Sequence, residues 1–158
     1  MDIALQLAVE ALIARAAHIV DDDRLEDWPP LFVEEGVYRV TTAENFERGL
    51  PLSIICADSR AMLRDRVSAL RHANIFEAQR YRHATSCTVI EQVNAGVATV
   101  VTNFIVVRTM QTGEQIVFAT GRYLDRIRME GEGGRPQFEE RTVVLDSRAV
   151  DTLLAIPL

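Results

Sequence analysis

The sequence predicts an α+β domain in which N-terminal helices pack on an antiparallel β-sheet. In the first half of the chain, apolar residues recur with helical periodicity, whereas the second half contains long β-rich segments joined by short turn sequences. At 158 residues the chain has the length of one ordinary domain, and we find no repeat, low-complexity tract or interdomain linker in it. We therefore expect a single domain over residues 1–158, with its helices on one face of one sheet.

Three segments in the N-terminal half are predicted to be helical. Residues 2–22 carry an apolar stripe at three- and four-residue steps, and a run of aspartates ends it. Asp23 is expected to cap a short second helix, which the two prolines at positions 29–30 limit to a turn or two. A third helix is expected over residues 58–73, with apolar residues on one side and mostly arginine on the other.

The rest of the chain is predicted to form strands. Residues 37–42 alternate enough for a short strand, a polar loop follows, and residues 53–57 can extend briefly. Turn sequences rich in glycine then separate longer β segments, as in an antiparallel meander. These longer segments span residues 82–93, 97–110, 115–129 and 137–146.

The segment Val97–Met110 is apolar at both odd and even positions. Its odd positions include Val101 and Ile105, and its even positions include Val100 and Phe104. An antiparallel sheet with one wet face should instead alternate apolar and polar residues. We therefore expect both faces to be covered, one by the helices and the other by a second layer of this chain or by a partner subunit.

Charge and hydropathy exclude several classes of protein. The net charge is -6 and acidic and basic residues are interspersed, so no basic surface predicts nucleic-acid binding. All 17 basic residues are arginine, which excludes Schiff-base lysine chemistry and a P-loop lysine. The N-terminus lacks the charge pattern of a signal peptide, and no uninterrupted apolar run has the length of a membrane span. We expect a cytoplasmic protein without a membrane partner.

Few residues are suited to bind a metal. Cys56 and Cys87 both lie in apolar sequence and are predicted to be buried free thiols. The histidines and cysteines do not form the clusters that an iron–sulfur or mononuclear iron site needs. His18 and His72 lie near predicted helix ends, where the helix dipole favours them. We also find no nucleophile elbow and no glycine-rich phosphate loop before a helix, and we predict no metal and no cofactor in this chain.

His83 is the candidate for acid–base chemistry, because it lies where the long β segments begin. A proton-transfer site needs a base, a partner that shifts its pKa, and a dry cavity. Alternatively, His83 and Arg82 form hydrogen bonds at a strand edge or across a subunit contact. Both interpretations remain open from the residues alone. The candidate partners for acid–base chemistry are Tyr38, Asp58, Tyr123 and Asp125.

Short motifs spread along the whole chain carry a family resemblance. In the first half they are Trp28-Pro29-x-Leu31-Phe32, Tyr38-Arg39-Val40, Ala57-Asp58-Ser59 and residues 65–77. In the second half they are Arg80-Tyr81-Arg82-His83, Thr102-Asn103-Phe104, Gly121-Arg122-Tyr123-Leu124-Asp125 and residues 141–147. Together they resemble the β (small) subunits of Rieske-type aromatic-ring-hydroxylating dioxygenases. The similarity is greatest to small subunits of terephthalate, anthranilate, salicylate and halobenzoate oxygenases.

The resemblance implies a cone-shaped fold of the nuclear-transport-factor-2-like (cystatin-like) type. It also implies three β subunits assembled with three α subunits, in which the α subunit carries the Rieske iron–sulfur cluster and the mononuclear iron. A reductase would deliver electrons from NADH, and this chain would be a structural subunit. Residues 84–87 are smaller and more polar than the family pattern, which puts local contacts with the α subunit in doubt.

Two other classes of function remain open. A stand-alone isomerase or dehydratase of the same fold would use a pocket with His83, Tyr38 and either Asp58 or Asp125. A free ligand-binding or dimerisation module is the third class. A deep, water-filled cavity in which His83 is hydrogen-bonded to a carboxylate would favour the enzyme.

The residues expected at subunit contacts lie on the predicted sheet. Arg108, Arg122 and Arg141 are expected to pair with carboxylates of a neighbouring chain, such as Asp125 or Glu139, because buried charges must be paired. The full set of interface candidates is Arg82, His83, Phe104, Arg108, Arg122, Tyr123 and Arg141.

Overall fold

The computed structural model describes residues 2–72, 77–149, 154 and 156–158. Within these ranges the α-helices are α1 (Ile3–Asp21), α2 (Ala43–Glu47) and α3 (Arg60–His72). The strands are β1 (Phe32–Thr42), β2 (Ile55–Ala57), β3 (Gln79–Asn94), β4 (Val97–Met110), β5 (Gln115–Arg128) and β6 (Gln137–Leu145). Single turns of 3-10 helix lie at Leu25–Asp27, Pro29–Leu31 and Glu132–Gly134.

Helix α1 packs its apolar stripe against β3. The Asp2 carboxylate caps the helix by accepting hydrogen bonds from the N–H groups of Ala4 and Leu5 at 3.0 and 3.2 Å. By length and composition α1 is apolar enough to cross a membrane, although Glu10 and Arg15 interrupt its apolar residues. Because its apolar stripe lies in the main hydrophobic core, we interpret it as a core helix. The buried residues of the stripe are Val9, Leu12, Ile13, Ala16, Ile19 and Val20.

The strands of the described residues form one sheet in the order β2-β1-β6-β5-β4-β3. Neighbouring strands are antiparallel except β1 and β6, which run in parallel. The sheet is therefore mixed, where an antiparallel sheet was expected. After α3 the chain enters β3 at the far edge, and the meander from β3 to β6 returns in the direction of β1. The predicted α+β class, with helices packed on one sheet, is confirmed.

Strand β4 shows which face of the sheet lies inside. Its even-numbered residues from Ala98 to Arg108 are all buried, whereas the odd-numbered residues between them are half-buried or exposed. Ile105, for example, is 47% exposed. One apolar face is therefore covered, as expected, but the described part of the chain provides no second layer over the other.

Aromatic rings pack closely at the centre of the core. Trp28 contacts Phe32 and Tyr38 edge to face, with ring centroids 5.4 and 4.9 Å apart. Phe104 stacks on Tyr123 at 4.4 Å. Each such pair contributes about 0.5–1.5 kcal/mol beyond the apolar area that it buries, so these rings help to fix the position of β1 relative to the segment before it.

Several local predictions differ from the structure, and β1 begins at Phe32 where a strand was expected from residue 37. The segment after β1, expected to be a polar loop, begins with α2 because the Thr42 hydroxyl accepts a hydrogen bond from the Asn45 N–H at 3.2 Å. Asp23 does not cap a second helix, since its φ is 57° and its carboxylate binds Arg71. The predicted last residue of the third helix, Ala73, lies outside the described residues.

The cysteines are free, as predicted, but both are exposed and not buried. Cys56 lies on the outer face of β2, between the buried residues Ile55 and Ala57. Cys87 lies at a β-bulge where the register of β3 with β4 shifts, and its φ is 54°. A bulge takes a residue out of the alternation of the strand. Apolar neighbours in the sequence were therefore a poor guide to burial.

Candidate functional site

The inner face of the sheet holds a buried ion pair. Arg141 on β6 donates two hydrogen bonds to the Asp125 carboxylate on β5, at 2.9 Å to Oδ1 and 2.8 Å to Oδ2. The Arg141 and Asp125 side chains are 4% and 0% exposed. The guanidinium also lies 4.1 and 4.2 Å from the ring centroids of Tyr123 and Phe138. The pair is therefore enclosed by aromatic side chains.

The charges of this pair control each other's protonation. Burial raises the pKa of the Asp125 carboxyl against the opposing attraction of Arg141. Burial alone would lower the pKa of the Arg141 guanidinium, but the Asp125 carboxylate outweighs it and raises that pKa. Because Arg141 occupies both carboxylate oxygens, Asp125 is not a free general base.

Two buried tyrosines also lie on the inner face. Tyr38 and Tyr123 are 0% and 1% exposed. Burial raises the pKa of Tyr38 to about 12 and also raises the pKa of Tyr123. The Tyr38 hydroxyl forms hydrogen bonds with the backbone of Leu158. Both hydroxyls therefore stay protonated at neutral pH.

His83 has a carboxylate partner that the sequence analysis missed. Its Nδ1 lies 2.6 Å from Asp21 Oδ1, and its backbone N–H donates to Asp21 Oδ2 at 2.9 Å. The two side chains are 1% and 3% exposed, and Arg82 Nη1 lies 3.9 Å from the same carboxylate. Asp21 is the last residue of α1. The contact therefore fastens the end of this helix to β3.

The acid–base set that the sequence suggested is not assembled. Asp58 is exposed, Asp125 is held by Arg141, and His83 pairs with Asp21. The alternative in which His83 and Tyr38 share a pocket with Asp58 or Asp125 is therefore not supported, although His83 does contact a carboxylate, that of Asp21. The run of aspartates at the end of α1 was the available signal, but no local pattern shows that this helix ends beside His83.

Four of the interface candidates lie inside the chain, because the inner positions of the sheet face the core. Arg141 binds the chain's own Asp125, and Glu139 binds Arg126 and Arg128 of the same chain. The expectation that Arg141 pairs with a neighbouring chain is therefore wrong. The four buried candidates are Phe104, Arg108, Tyr123 and Arg141.

Arg82 and Arg122 are the candidates that project from the surface. The Arg82 side chain is 69% exposed. Arg122 is exposed on β5, and its guanidinium lies 5.8 Å from the ring centroid of Phe46. The third surface candidate, His83, has its side chain covered by α1. Arg82 and Arg122 are thus exposed at the surface, where a partner could reach them.

Apolar side chains lie on the outer face of the sheet on both sides of the position where Arg122 pairs with Asn103. Ile105 and Val117 are 47% and 65% exposed, and Val89 is 55% exposed. Val101 pairs with Val89, and Val107 pairs with Val117, so the five side chains lie on adjacent strands. We call Val89, Val101, Ile105, Val107 and Val117 the outer sheet patch. Asn103 on β4 separates Val101 from Ile105, so the patch consists of two groups of apolar side chains, and exposed apolar groups of this kind mark interaction sites.

Metal ligands are scattered in the part of the chain that the structure describes. Among those residues, no three His, Cys, Asp or Glu side chains are grouped to hold a metal ion. His18 and His72 are exposed on α1 and α3. His72 Nδ1 lies 3.0 Å from the carbonyl oxygen of Ser68 in the preceding turn, as expected for a residue at a helix end.

Comparison of the sequence with known proteins finds one family model and relatives of the same kind. The model of the family described as "ring hydroxylating beta subunit" matches residues 15–152. The chain is 44% identical to a β subunit of the terminal oxygenase component of terephthalate 1,2-dioxygenase from Comamonas sp., over 97% of this chain and 98% of the relative. It is 40% identical to the anthranilate 1,2-dioxygenase small subunit of Burkholderia cepacia, over 88% of this chain and 85% of that one.

The fold agrees with these sequence relationships. A crystal structure described as the β subunit of an aromatic-ring-hydroxylating dioxygenase from Novosphingobium aromaticivorans superposes with a TM-score of 0.89. The two chains are 36% identical, and the match covers 98% of this chain and 97% of the other. The family match spans well over half of the chain, and the relatives match it nearly end to end. This chain therefore belongs to the family of ring-hydroxylating β subunits.

Proposed function

We propose that this chain is the structural β subunit of a multicomponent aromatic-ring-hydroxylating dioxygenase. The observation that carries the proposal is its 44% identity to a terephthalate dioxygenase β subunit over 97% of the chain. The closed inner face supports a non-catalytic role, because Tyr38 and Asp125 are buried and bonded within the chain. The α subunit would carry the Rieske cluster and the mononuclear iron.

Aromatic carboxylates are the proposed substrate class of the complete enzyme. Relatives of this chain belong to dioxygenases named for terephthalate and anthranilate, which are both aromatic carboxylates. In this proposal a reductase transfers electrons from NADH to the α subunit, and the β subunit contributes no cofactor. The complex would operate in the cytoplasm, where NADH is available.

The proposed assembly contains three α and three β subunits, with the outer sheet patch at a subunit contact. An apolar centre with arginines at its margin is the usual arrangement of a protein–protein interface. The patch has Ile105 at its centre, with Arg82 and Arg122 beside it. A closed ring would bury this surface on every copy.

The substitution Ile105→Glu tests the proposal. A carboxylate placed at this position would lose its water when the contact forms, and that desolvation costs several kcal/mol. We expect the variant to lose at least tenfold in affinity for the neighbouring subunit, as 1.4 kcal/mol is a factor of ten. The variant is co-expressed with the α subunit, and sedimentation velocity measures the fraction of this chain that is in the complex. Arg122→Ala should have the same effect to a smaller degree.

Ala14→Glu is the matched control, because Ala14 is exposed on α1, away from the patch. Both variants should retain the far-ultraviolet circular dichroism of the wild type, and only Ile105→Glu should disassemble. Normal assembly of Ile105→Glu would exclude the patch as an interface. A wild-type chain that never associates with an α subunit would contradict the proposed function itself.

A further inference from the structure

The outer face of strands β3, β4 and β5 carries only positive charge at its paired positions. The odd-numbered residues of β4 point outward, and the residues paired with them on β3 and β5 share that face. Glu91 lies in a bulge of β3 and has no paired residue on β4. The face is therefore basic, although the net charge of the chain is -6. The charged residues at the paired positions are Arg80, Arg82, Arg122, Arg126 and Arg128.

Only part of this positive charge is neutralised by nearby carboxylates. Arg126 and Arg128 share one carboxylate, that of Glu139, at 3.2 and 2.6 Å. Arg82 reaches the Asp21 carboxylate only at 3.9 Å. Two carboxylates thus serve three of the five arginines, and an excess of positive charge remains on the face.

Arg122 lies near the middle of this face without an acidic partner. Among the residues that the structure describes, neither Arg122 nor Arg80 forms an ion pair. The contact of the Arg122 guanidinium is with the ring of Phe46, at 5.8 Å from the centroid. A guanidinium that loses its water and gains no counter-charge costs several kcal/mol. A partner that covers this face must therefore bring a carboxylate to Arg122.

Arginines and apolar side chains alternate along the face. Arg126, Arg122 and Arg82 pair with every fourth residue of β4, and four residues of a strand span about 13 Å. Val101 lies in one of the two intervals and Ile105 in the other. A complementary surface needs apolar groups opposite these two residues and negative charge between and beyond them.

We propose that the surface of the α subunit that covers this face is acidic, with one carboxylate opposite Arg122 and others about 13 Å to either side. The inference rests on the proposed function, because it names the chemistry of the partner at the outer sheet patch. A mixture of arginine and apolar side chains is the composition of a protein–protein interface. Nucleic acid fits this face less well, because a phosphate backbone brings charge and no apolar area to Val101 and Ile105.

The test is the salt dependence of association between this chain and the α subunit. Opposite charges on two partners raise the association rate constant by about 10 to 1,000-fold, and salt removes the gain. We expect the rate constant to fall at least tenfold between about 0.01 and 1 M NaCl, with a smaller change in the dissociation rate constant. Surface plasmon resonance with the α subunit immobilised measures both constants.

Arg122→Glu places negative charge where the α subunit is expected to be negative. In low salt this variant should associate at least tenfold more slowly than the wild type, and the difference should shrink as salt is added. Arg80→Glu should have a smaller effect, because Arg80 lies at the end of the face. Arg15→Glu is the matched control, since Arg15 is exposed on α1 and the substitution changes the net charge by the same amount. It should leave the association rate almost unchanged.

Three results would count against the inference. Association at a rate that does not depend on salt, or equal slowing by Arg15→Glu and Arg122→Glu, would overturn it and leave the proposed function intact. Tighter binding to a short DNA duplex than to the α subunit, lost in Arg122→Glu, would also overturn it. A chain that associates with no α subunit would contradict the proposed function and remove the partner on which the inference rests.

Discussion

Asp125 and Arg141 place opposite charges inside a core that is otherwise apolar and aromatic. Removing each charge from water costs several kcal/mol, and their two hydrogen bonds and the ring of Tyr123 offset much of that cost. Removal of one partner leaves the other charge buried and uncompensated. Replacement of both partners by apolar residues of similar size avoids this penalty.

We therefore predict that Arg141→Ala lowers the free energy of unfolding by about 3–5 kcal/mol. The double variant Asp125→Leu/Arg141→Met should recover most of that loss, because neither charge remains in the core. Urea denaturation of the three proteins measures the differences. A double variant as unstable as Arg141→Ala would show that packing, and not charge, makes this position sensitive.

The two buried carboxylate contacts differ in how far the sequence could predict them. Asp125 and Arg141 lie opposite each other in the β5–β6 hairpin, at equal distance along the chain from Gly133 in the turn. A register drawn around that turn would have paired them within one chain. The contact of His83 with Asp21 joins a helix end to a strand 62 residues away, and no local pattern contains that information.

At the scale of elements, Arg71 fastens the end of α3 to the turn that follows α1. Its guanidinium donates hydrogen bonds to the Glu26 carboxylate at 2.8 and 3.0 Å and to the Asp23 carboxylate at 2.9 Å. The hydrogen bond from Arg71 lowers the pKa of Glu26 from 4.5 to about 2. Asp23 thus has a tertiary role where the sequence suggested a helix cap.

The lowered pKa of Glu26 predicts a pH dependence. The contribution of Glu26 to stability is fully present above its ordinary pKa of 4.5 and is lost as the pH falls through about 2. Glu26→Gln should therefore be less stable than the wild type at pH 7, by no more than about 1 kcal/mol because the pair is exposed. Urea titrations at pH 7, 4 and 3 should show the difference shrinking. A difference that stays constant over this range would contradict the ion pair.

Long elements were predictable because each repeats one local pattern many times. The stripe of α1 and the turns between β3, β4, β5 and β6 gave bounds close to those observed. The parallel pairing of β1 with β6 depends on the position in the sheet at which the last strand of the meander lies. No local sequence pattern predicts that position. Helix α2 depends on a single cap at Thr42, which is too weak a signal within a polar stretch.

At the scale of the molecule, the two faces of the sheet have different properties. The inner face is closed by α1, by the aromatic rings and by Leu158. The outer face exposes the outer sheet patch, although both faces of β4 have similar hydrophobicity in the sequence. Such a difference between the faces is expected of a subunit that binds its partners through an exposed apolar surface while the chemistry takes place in another chain.

The iron content of the isolated chain and of its complex tests whether this chain is structural and the α subunit carries the iron. The isolated chain should contain no stoichiometric iron by elemental analysis, whereas its complex with the α subunit should contain iron in proportion to the α subunit. His83→Ala should leave the iron content per α subunit unchanged, because His83 is bonded to Asp21 inside this chain. The same variant should lower the melting temperature of the isolated chain, since the junction of α1 with β3 is lost. About one iron per isolated chain that disappears in His83→Ala would instead make His83 a metal ligand and would contradict the structural role.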